Sequence, residues 1–305
     1  MDPLSEVFST MHIIAPESAR IEASAPWGWH SSDEAENRVT FVLVEQGSAR
    51  MTARGAEPVL LAPGDIFVLF DDVPYTLADD QASPLVDCQV VAQARVGNLI
   101  RFGGGGAPTT FVSGSFVLDP ADVQPVLAAL PGFLHLRLEE TRSRAFHAIL
   151  ELLSLELAQP RLASEAAIAR LYEVLLVYVV RAYAANETLP KRGWLAAISD
   201  RQLGQATRAM HAEMERPWTL QTLAERAAMS RSAYAARFKA AVGQTPLEYL
   251  THWRMRRAQL LMRSGSRSLM QIAEAVGYDS ESAFSRVFKR ATGMTPGAFR
   301  RGLAA

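Results

Sequence analysis

The stretch Ser230-Arg231-Ser232-Ala233-Tyr234-Ala235-Ala236-Arg237-Phe238-Lys239 returns, with an offset of 50, as Ser280-Glu281-Ser282-Ala283-Phe284-Ser285-Arg286-Val287-Phe288-Lys289. The match continues on both sides. Leu223-Ala224-Glu225 corresponds to Ile272-Ala273-Glu274, and Gly243-x-Thr-Pro corresponds to Gly293-x-Thr-Pro. An internal repeat of this length predicts two copies of one supersecondary unit.

Each copy has the pattern of a helix, a tight turn and a second helix. Thr219 and Ser268 stand where N-caps of the first helices belong, and Ser268 has Gln271 three residues on, as in a capping box. Ser230 and Ser280 precede the second helices, predicted over Arg231–Val242 and Glu281–Thr292. Each second helix has an aromatic pair spaced i,i+4 for burial, which leaves its opposite face free to enter a major groove.

A single continuous helix is predicted between the copies, from Pro246 to Arg263. At 1.5 Å per residue, about 18 residues span roughly 27 Å. Such a rod could hold the two second helices about one DNA turn, roughly 34 Å, apart.

Charge is divided unevenly along the 305-residue chain. Residues 1–190 hold 12 Lys/Arg against 24 Asp/Glu, whereas residues 191–305 hold 19 against 8. This asymmetry is typical of a basic nucleic-acid-binding domain joined to an acidic domain that does not bind.

These residues carry a resemblance to a known family. Pro217 to Arg301, including the closing Gly-x-Thr-Pro-x-x-Phe-Arg at Gly293 to Arg300, resembles the DNA-binding domain of the AraC/XylS transcription regulators. A weaker resemblance, to the branch with an N-terminal cupin-like sensor domain, is carried by Asp2–Val7, Gly103–Thr110, Leu130-Pro131 and Gly193–Leu195. The resemblance implies double-stranded DNA and RNA polymerase as partners.

Residue roles in DNA binding follow from the resemblance, position by position. The base-reading positions fall on Ser232, Ala235, Ala236, Glu281, Ser282, Ser285 and Arg286. Many relatives have arginine where Ala236 stands, so we expect the two halves to read DNA unequally. The candidates for phosphate contacts, or alternatively solvated helix faces, are Arg231, Arg237, Lys239, Lys289 and Arg290.

The N-terminal half changes from strand-like to helical patterns. We expect strands over Arg38–Glu45, Ala49–Ala53, Val59–Leu61, Ile66–Phe70 and Leu85–Ala92, and helices over Arg142–Gln159 and Ala163–Asn186. The second helix is apolar nearly all round at its centre, which indicates either a homodimer interface or a wholly internal helix.

The predicted fold class is therefore an α+β two-domain protein. A cupin-like β-barrel over residues 1–118 is followed by a helical connector and dimerisation segment over 119–190, and an all-α domain with two helix-turn-helix motifs covers 191–305.

Cupin chemistry lacks its usual ligands in this chain. Gly64-Asp65 matches the turn of the second cupin motif, but Tyr75 follows Pro74 where a histidine is common, and no histidine lies between Arg38 and Gly47. We therefore expect no metal, no cofactor and no enzymatic activity.

A barrel without a metal can still bind a small apolar effector. Trp27, Trp29, Phe41 and Tyr75 are predicted either to line such a pocket or to fill the core. Cys88, the only cysteine, could alternatively sense an oxidant, although a lone cysteine in an apolar strand is usually inert packing.

The single cysteine fits a reducing cytoplasm, and the N-terminus lacks a signal-peptide pattern. The longest apolar run, Val174–Val180, is too short to span a membrane. The leading hypothesis is a cytoplasmic regulator that senses an effector or an oxidant. The alternatives are an architectural DNA-binding protein that senses nothing and a cupin-type enzyme.

Overall fold

The structure is a computed structural model that describes residues 3–8, 13–31, 38–70, 73–118, 129–137, 144–186, 191–265 and 267–303. The chain divides into two compact units. One consists of Met11–Pro190, and the other of Lys191–Ala305 together with Met1–Thr10.

Strands occur in the first unit. They are β1 (Ile13–Ser24), β2 (Gly28–His30), β3 (Arg38–Gln46), β4 (Ala49–Ala53), β5 (Val59–Leu61), β6 (Asp65–Phe70), β7 (Tyr75–Ala78), β8 (Val86–Asp87), β9 (Arg95–Val96), β10 (Leu99–Gly103), β11 (Pro108–Leu118) and β12 (Phe133–Arg137). Helices occur in both units. They are α1 (Pro3–Phe8), α2 (Cys88–Gln93), α3 (Arg144–Ala158), α4 (Ser164–Ala185), α5 (Gly193–Ser199), α6 (Leu203–Ala212), α7 (Leu220–Arg226), α8 (Arg231–Val242), α9 (Pro246–Arg263), α10 (Leu269–Ala275), α11 (Glu281–Thr292) and α12 (Pro296–Gly302).

The strands form two sheets around one apolar core. The larger has the order β12-β6-β3-β11-β1-β10-β9, and the smaller has the order β5-β4-β7-β2-β8. The core between them includes Trp27 and Trp29 from one side and Val42, Phe67 and Phe111 from the other. All six residues of β6 are buried, as expected of a strand covered on both faces. The sheet-rich N-terminal half agrees with the predicted fold class.

Helix α4 covers the outer face of the larger sheet. The ring of Tyr172 lies 5.0 Å from that of Phe41 and 5.4 Å from that of Phe116, and its hydroxyl donates to Ser18 Oγ at 2.5 Å. Phe41 therefore points away from the core between the sheets, because side chains alternate along β3. Phe41 is not among the residues that line the cavity of this unit.

The strand predicted over Leu85–Ala92 is wrong for most of its length. Only Val86–Asp87 is strand, and α2 begins at Cys88. The carboxylate of Asp87 accepts from the backbone N–H of Gln89 at 2.8 Å, which is an N-cap that favours helix over strand here.

The segment predicted as a helical connector, 119–190, also contributes a strand. Phe133–Arg137 pairs antiparallel with β6, from Phe133 opposite Leu69 to Arg137 opposite Asp65. Its alternating burial, with Leu134 and Leu136 inward, is the period-2 pattern of a half-buried strand.

The second unit is helical, as predicted. Within the described residues, no helix of either unit has the length and the continuous apolar character that crossing a bilayer requires.

Candidate nucleic-acid interface

The tight turns of the two helix-turn-helix units have the same backbone geometry. After α7, Ala228 adopts a left-handed φ of 51°, and the N–H of Met229 donates to the carbonyl of Ala224 at 3.0 Å. After α10, Gly277 has a φ of 79°, and the N–H of Tyr278 donates to the carbonyl of Ala273 at 2.9 Å. Ala228 thus has a left-handed backbone conformation that is less favourable for alanine than for the glycine at the equivalent position 277.

The helix starts follow the predicted caps. Thr219 and Ser268 each form a capping box with the residue three positions on. Ser230 accepts from the N–H of Ala233 at 3.3 Å, and Ser280 accepts from the N–H of Ala283 at 3.2 Å. These bonds fix where α8 and α11 begin. The starting residue of each helix in turn determines which of its side chains face solvent.

Both second helices bury their aromatic pair. Tyr234 and Phe238 of α8 are fully buried, as are Phe284 and Phe288 of α11. The pairs anchor one face of each helix, and the opposite face is open to solvent.

The predicted base-reading residues lie on or beside these open faces. Those that are exposed are Ser232, Ala236, Glu281, Ser282 and Arg286, and Ala235 and Ser285 are half-buried. The open face of α8 is thus formed largely of small side chains, whereas that of α11 includes a carboxylate and a guanidinium.

Four of the predicted phosphate-binding residues are exposed cations: Arg231, Lys239, Lys289 and Arg290. Within the described ranges, no carboxylate lies within ion-pair distance of any of the four, although the charge of Lys239 acts on the nearby Glu248 carboxylate.

Arg237 is held differently. Its guanidinium donates to Asp200 Oδ2 at 2.6 Å and to Gln202 Oε1 at 2.7 Å. Burial raises the pKa of Asp200, but the backbone N–H groups of Leu203 and Gln202 and the Arg237 guanidinium outweigh this and lower it below its ordinary value. Arg237 therefore ties α8 to the segment before α6.

The long helix α9 serves both helix-turn-helix units. In its first half, the Trp253 ring lies 6.2 Å from that of Trp194, and in its second half Ala258 and Met262 pack with Phe284 and Phe288. One rod thus forms part of two small cores.

Arg254 and Gly277 join the two helix-turn-helix units at the middle of this rod. Arg254 Nε donates to the carbonyl of Met214 at 2.9 Å, its Nη2 donates to that of Arg216 at 2.7 Å, and its guanidinium lies 5.6 Å from the Tyr278 ring centre. A Cβ on Gly277 would stand 2.5 Å from the carbonyl oxygen of Glu215. The sequence pattern did not indicate a role for Arg254. Asp200 could have been identified, because its carboxylate accepts from the backbone N–H groups of Gln202 and Leu203 at the start of α6.

The N-terminal unit contains a cavity of about 190 Å³. Trp29, Tyr75 and Cys88 are among its lining residues, but Trp27 is not. Arg38 and Arg95, which the sequence did not single out, also line it. No group of three or more histidine, cysteine, aspartate or glutamate side chains that could hold a metal ion occurs in the part of the chain described.

Comparison with known proteins covers both units. Residues 2–185 match a cupin family, and residues 223–302 match a helix-turn-helix domain family. A putative AraC-like transcription regulator of Streptomyces lividans is 35% identical over 99% of this chain and 98% of its own length. The HTH-type transcriptional regulator AlkR of Acinetobacter baylyi is 29% identical over 99% of both chains.

Among solved structures, the DNA-binding domain of AdpA, crystallised with a target DNA, is 29% identical, with a TM-score of 0.33 over 34% of this chain and 93% of that chain. The family follows from two findings. The similarity to the Streptomyces lividans protein extends over nearly the full length of both chains, and this chain matches a cupin family and then a helix-turn-helix family. The chain belongs to the AraC-like transcription regulators.

Proposed function

We propose that this regulator binds double-stranded DNA by placing α8 and α11 in successive segments of the major groove, and that its cupin unit controls this binding. The observation that carries the proposal is the shared design of the two helices. Each is capped by serine, is anchored by a buried aromatic pair and exposes cations that form no ion pair with a carboxylate of the described chain.

The two helices are proposed to contribute different kinds of contact. Arg286 on α11 can make a bidentate contact to guanine, which is worth about 1–3 kcal/mol of discrimination. Ala235 and Ala236 on α8 can offer only apolar contact, for instance to a thymine methyl group. Base specificity is therefore assigned mainly to α11, and Arg231, Lys239, Lys289 and Arg290 are assigned to phosphates.

A small molecule bound in the cavity is the proposed trigger. The cavity supports this assignment because it combines aromatic, aliphatic and polar walls around one concave space. Cys88 is a second candidate trigger, since it is the single cysteine of the sequence and lies, half-buried, in the same wall. Replacing Cys88 with serine separates the two, because a ligand response survives this change and a thiol response does not.

We further propose that two copies associate through the outer face of α3 and α4. Leu152, Leu155 and Val174 are 48%, 50% and 42% exposed, although they lie on helices that pack together. The family further implies that the protein acts on RNA polymerase in the cytoplasm, and we include this in the proposal. We assign no catalytic activity to the cupin unit.

Fluorescence anisotropy of the full chain on duplexes from upstream of its own and neighbouring genes tests the function. We expect at least one duplex to bind much more tightly than its shuffled sequence, with log K falling against log salt at about 0.9 per phosphate neutralised. A salt-insensitive complex, or equal affinity for the shuffled duplex, would overturn the proposal in favour of another ligand or an architectural role.

A further inference from the structure

The cavity of the N-terminal unit has more positive charge in its walls than negative. The guanidinium groups of Arg38 and Arg95 line it, with the carboxylate of Glu17 as the acidic lining group among the described residues. Arg38 Nη1 donates to Ser115 Oγ at 3.2 Å, and Arg95 donates to the carbonyl oxygens of Ser18 and Gly97, at 2.8 Å each. In the described ranges both arginines thus donate to neutral acceptors only.

Arg38 also has an unused donor. Its Nε has no hydrogen-bond partner among the described residues, but almost none of its surface is accessible, so a ligand in the cavity can accept from it only after the guanidinium turns toward the cavity. An unpaired donor of a buried charged group is unfavourable, and a carboxylate is the acceptor whose two oxygens match the planar fork of a guanidinium. Arg38 therefore favours a bound carboxylate at this wall.

The remaining walls limit the size and character of the ligand. Ala19, Ile21, Trp29, Val91 and Ile100 supply an apolar surface. A dry apolar cavity of about 150 Å³ accepts benzene, so a cavity of about 190 Å³ suits a molecule of roughly ten heavy atoms.

We infer that the cavity binds a small monocarboxylic acid with a compact apolar body, its carboxylate on the guanidinium of Arg38 and its apolar part against Trp29. This names the effector class and so rests on the proposed function, but binding of the acid requires no DNA.

Matched acids and amides test the inference on the full chain. Benzoate, phenylacetate and 3-methylbutanoate are each titrated against their neutral amides, with tryptophan fluorescence and thermal shift as readouts. At least one acid should bind about 10- to 100-fold more tightly than its amide, the ratio expected for one hydrogen-bonded charged contact. Arg38→Met should abolish that preference.

Two further variants keep the result interpretable. Arg50→Met removes an exposed arginine of β4 that does not line the cavity, so it should retain the full preference. Arg38→Lys keeps the charge but loses the fork, so an intermediate preference is expected. If Arg38→Met fails to fold, the wild-type acid and amide affinities and the lysine variant still decide.

Equal affinity for every acid and its amide, no binding by any acid, or a preference that survives in Arg38→Met would overturn the inference. Its failure is separable from that of the proposed function. A protein that binds specific DNA without any acid preference refutes only the ligand class, and one that binds an acid but no specific DNA refutes only the regulator.

Discussion

Positions 228 and 277 are equivalent in the two helix-turn-helix units, yet the first is alanine and the second is glycine. Both have left-handed backbone conformations, with φ of 51° and 79°. Left-handed backbone costs an L-residue about 1–2 kcal/mol, so Ala228 is strained in a way that Gly277 is not.

Ala228→Gly should therefore raise the free energy of unfolding by about 1 kcal/mol, less what glycine loses in the unfolded chain. Gly277→Ala should lower it by about 2 kcal/mol or more, because the same strain is joined by a Cβ 2.5 Å from the carbonyl oxygen of Glu215. Urea denaturation at constant m-value measures both.

Ala240→Gly is the matched control for these substitutions. Ala240 is exposed within α8, so glycine there should destabilise by about 0.5–1 kcal/mol. If Ala228→Gly destabilises by as much as this control, the left-handed strain at Ala228 is not a cost to the fold.

Arg286 is the residue expected to read bases most strongly. Arg286→Ala should cost about 1–3 kcal/mol in binding to the preferred duplex and should relax the preference at one base pair. Selection from randomised duplexes, followed by sequencing, measures this. Ala236→Gly, at the equivalent place on α8, should leave the preference at that base pair unchanged. The assignment is wrong if these two results are exchanged.

At the scale of elements, the C-terminal helices were predictable because their ends are decided locally. α8 and α11 lie between the caps at Ser230 and Ser280 and the glycines at 243 and 293, and α9 begins at the cap of Thr245. Such signals need only a few neighbouring residues.

The elements that were missed depend on distant partners. Phe133–Arg137 is a strand because it pairs with the edge of β6. Phe41 faces α4 because its neighbour in β3, Thr40, faces the cavity on the other side of the strand. The side of a strand that faces a cavity is set by sheet packing, which the pattern of one strand does not specify. Cys88 could have been placed better, since Asp87 before it is a capping residue.

The outer face of α3 and α4 gives a prediction about assembly. Val174→Glu should shift a dimer toward monomers, because it places a charge where an apolar side chain would be covered by the second copy. Light scattering after gel filtration measures the mass. Arg170→Glu is the control that tests whether any added acidic residue on this helix is enough to dissociate the dimer. Arg170 is exposed and paired with Glu173. An unchanged mass for Val174→Glu would contradict this interface.

At the scale of the whole molecule, charge and architecture agree. Residues 191–305, which hold 19 Lys/Arg against 8 Asp/Glu, include both recognition helices and the rod that joins them. The acidic residues 1–190 contain the cavity. Sensing and DNA binding are thus assigned to separate compact units of opposite charge, a division that the sequence alone predicted.

Hydroxyl-radical footprinting of the full chain on its preferred duplex tests most directly whether one protomer uses both recognition helices. We expect two protected blocks per protomer, about one helical turn apart, with Arg286→Ala weakening only the block that α11 covers. A single protected block per protomer, or protection without preferred positions, would contradict binding by two successive helix-turn-helix units.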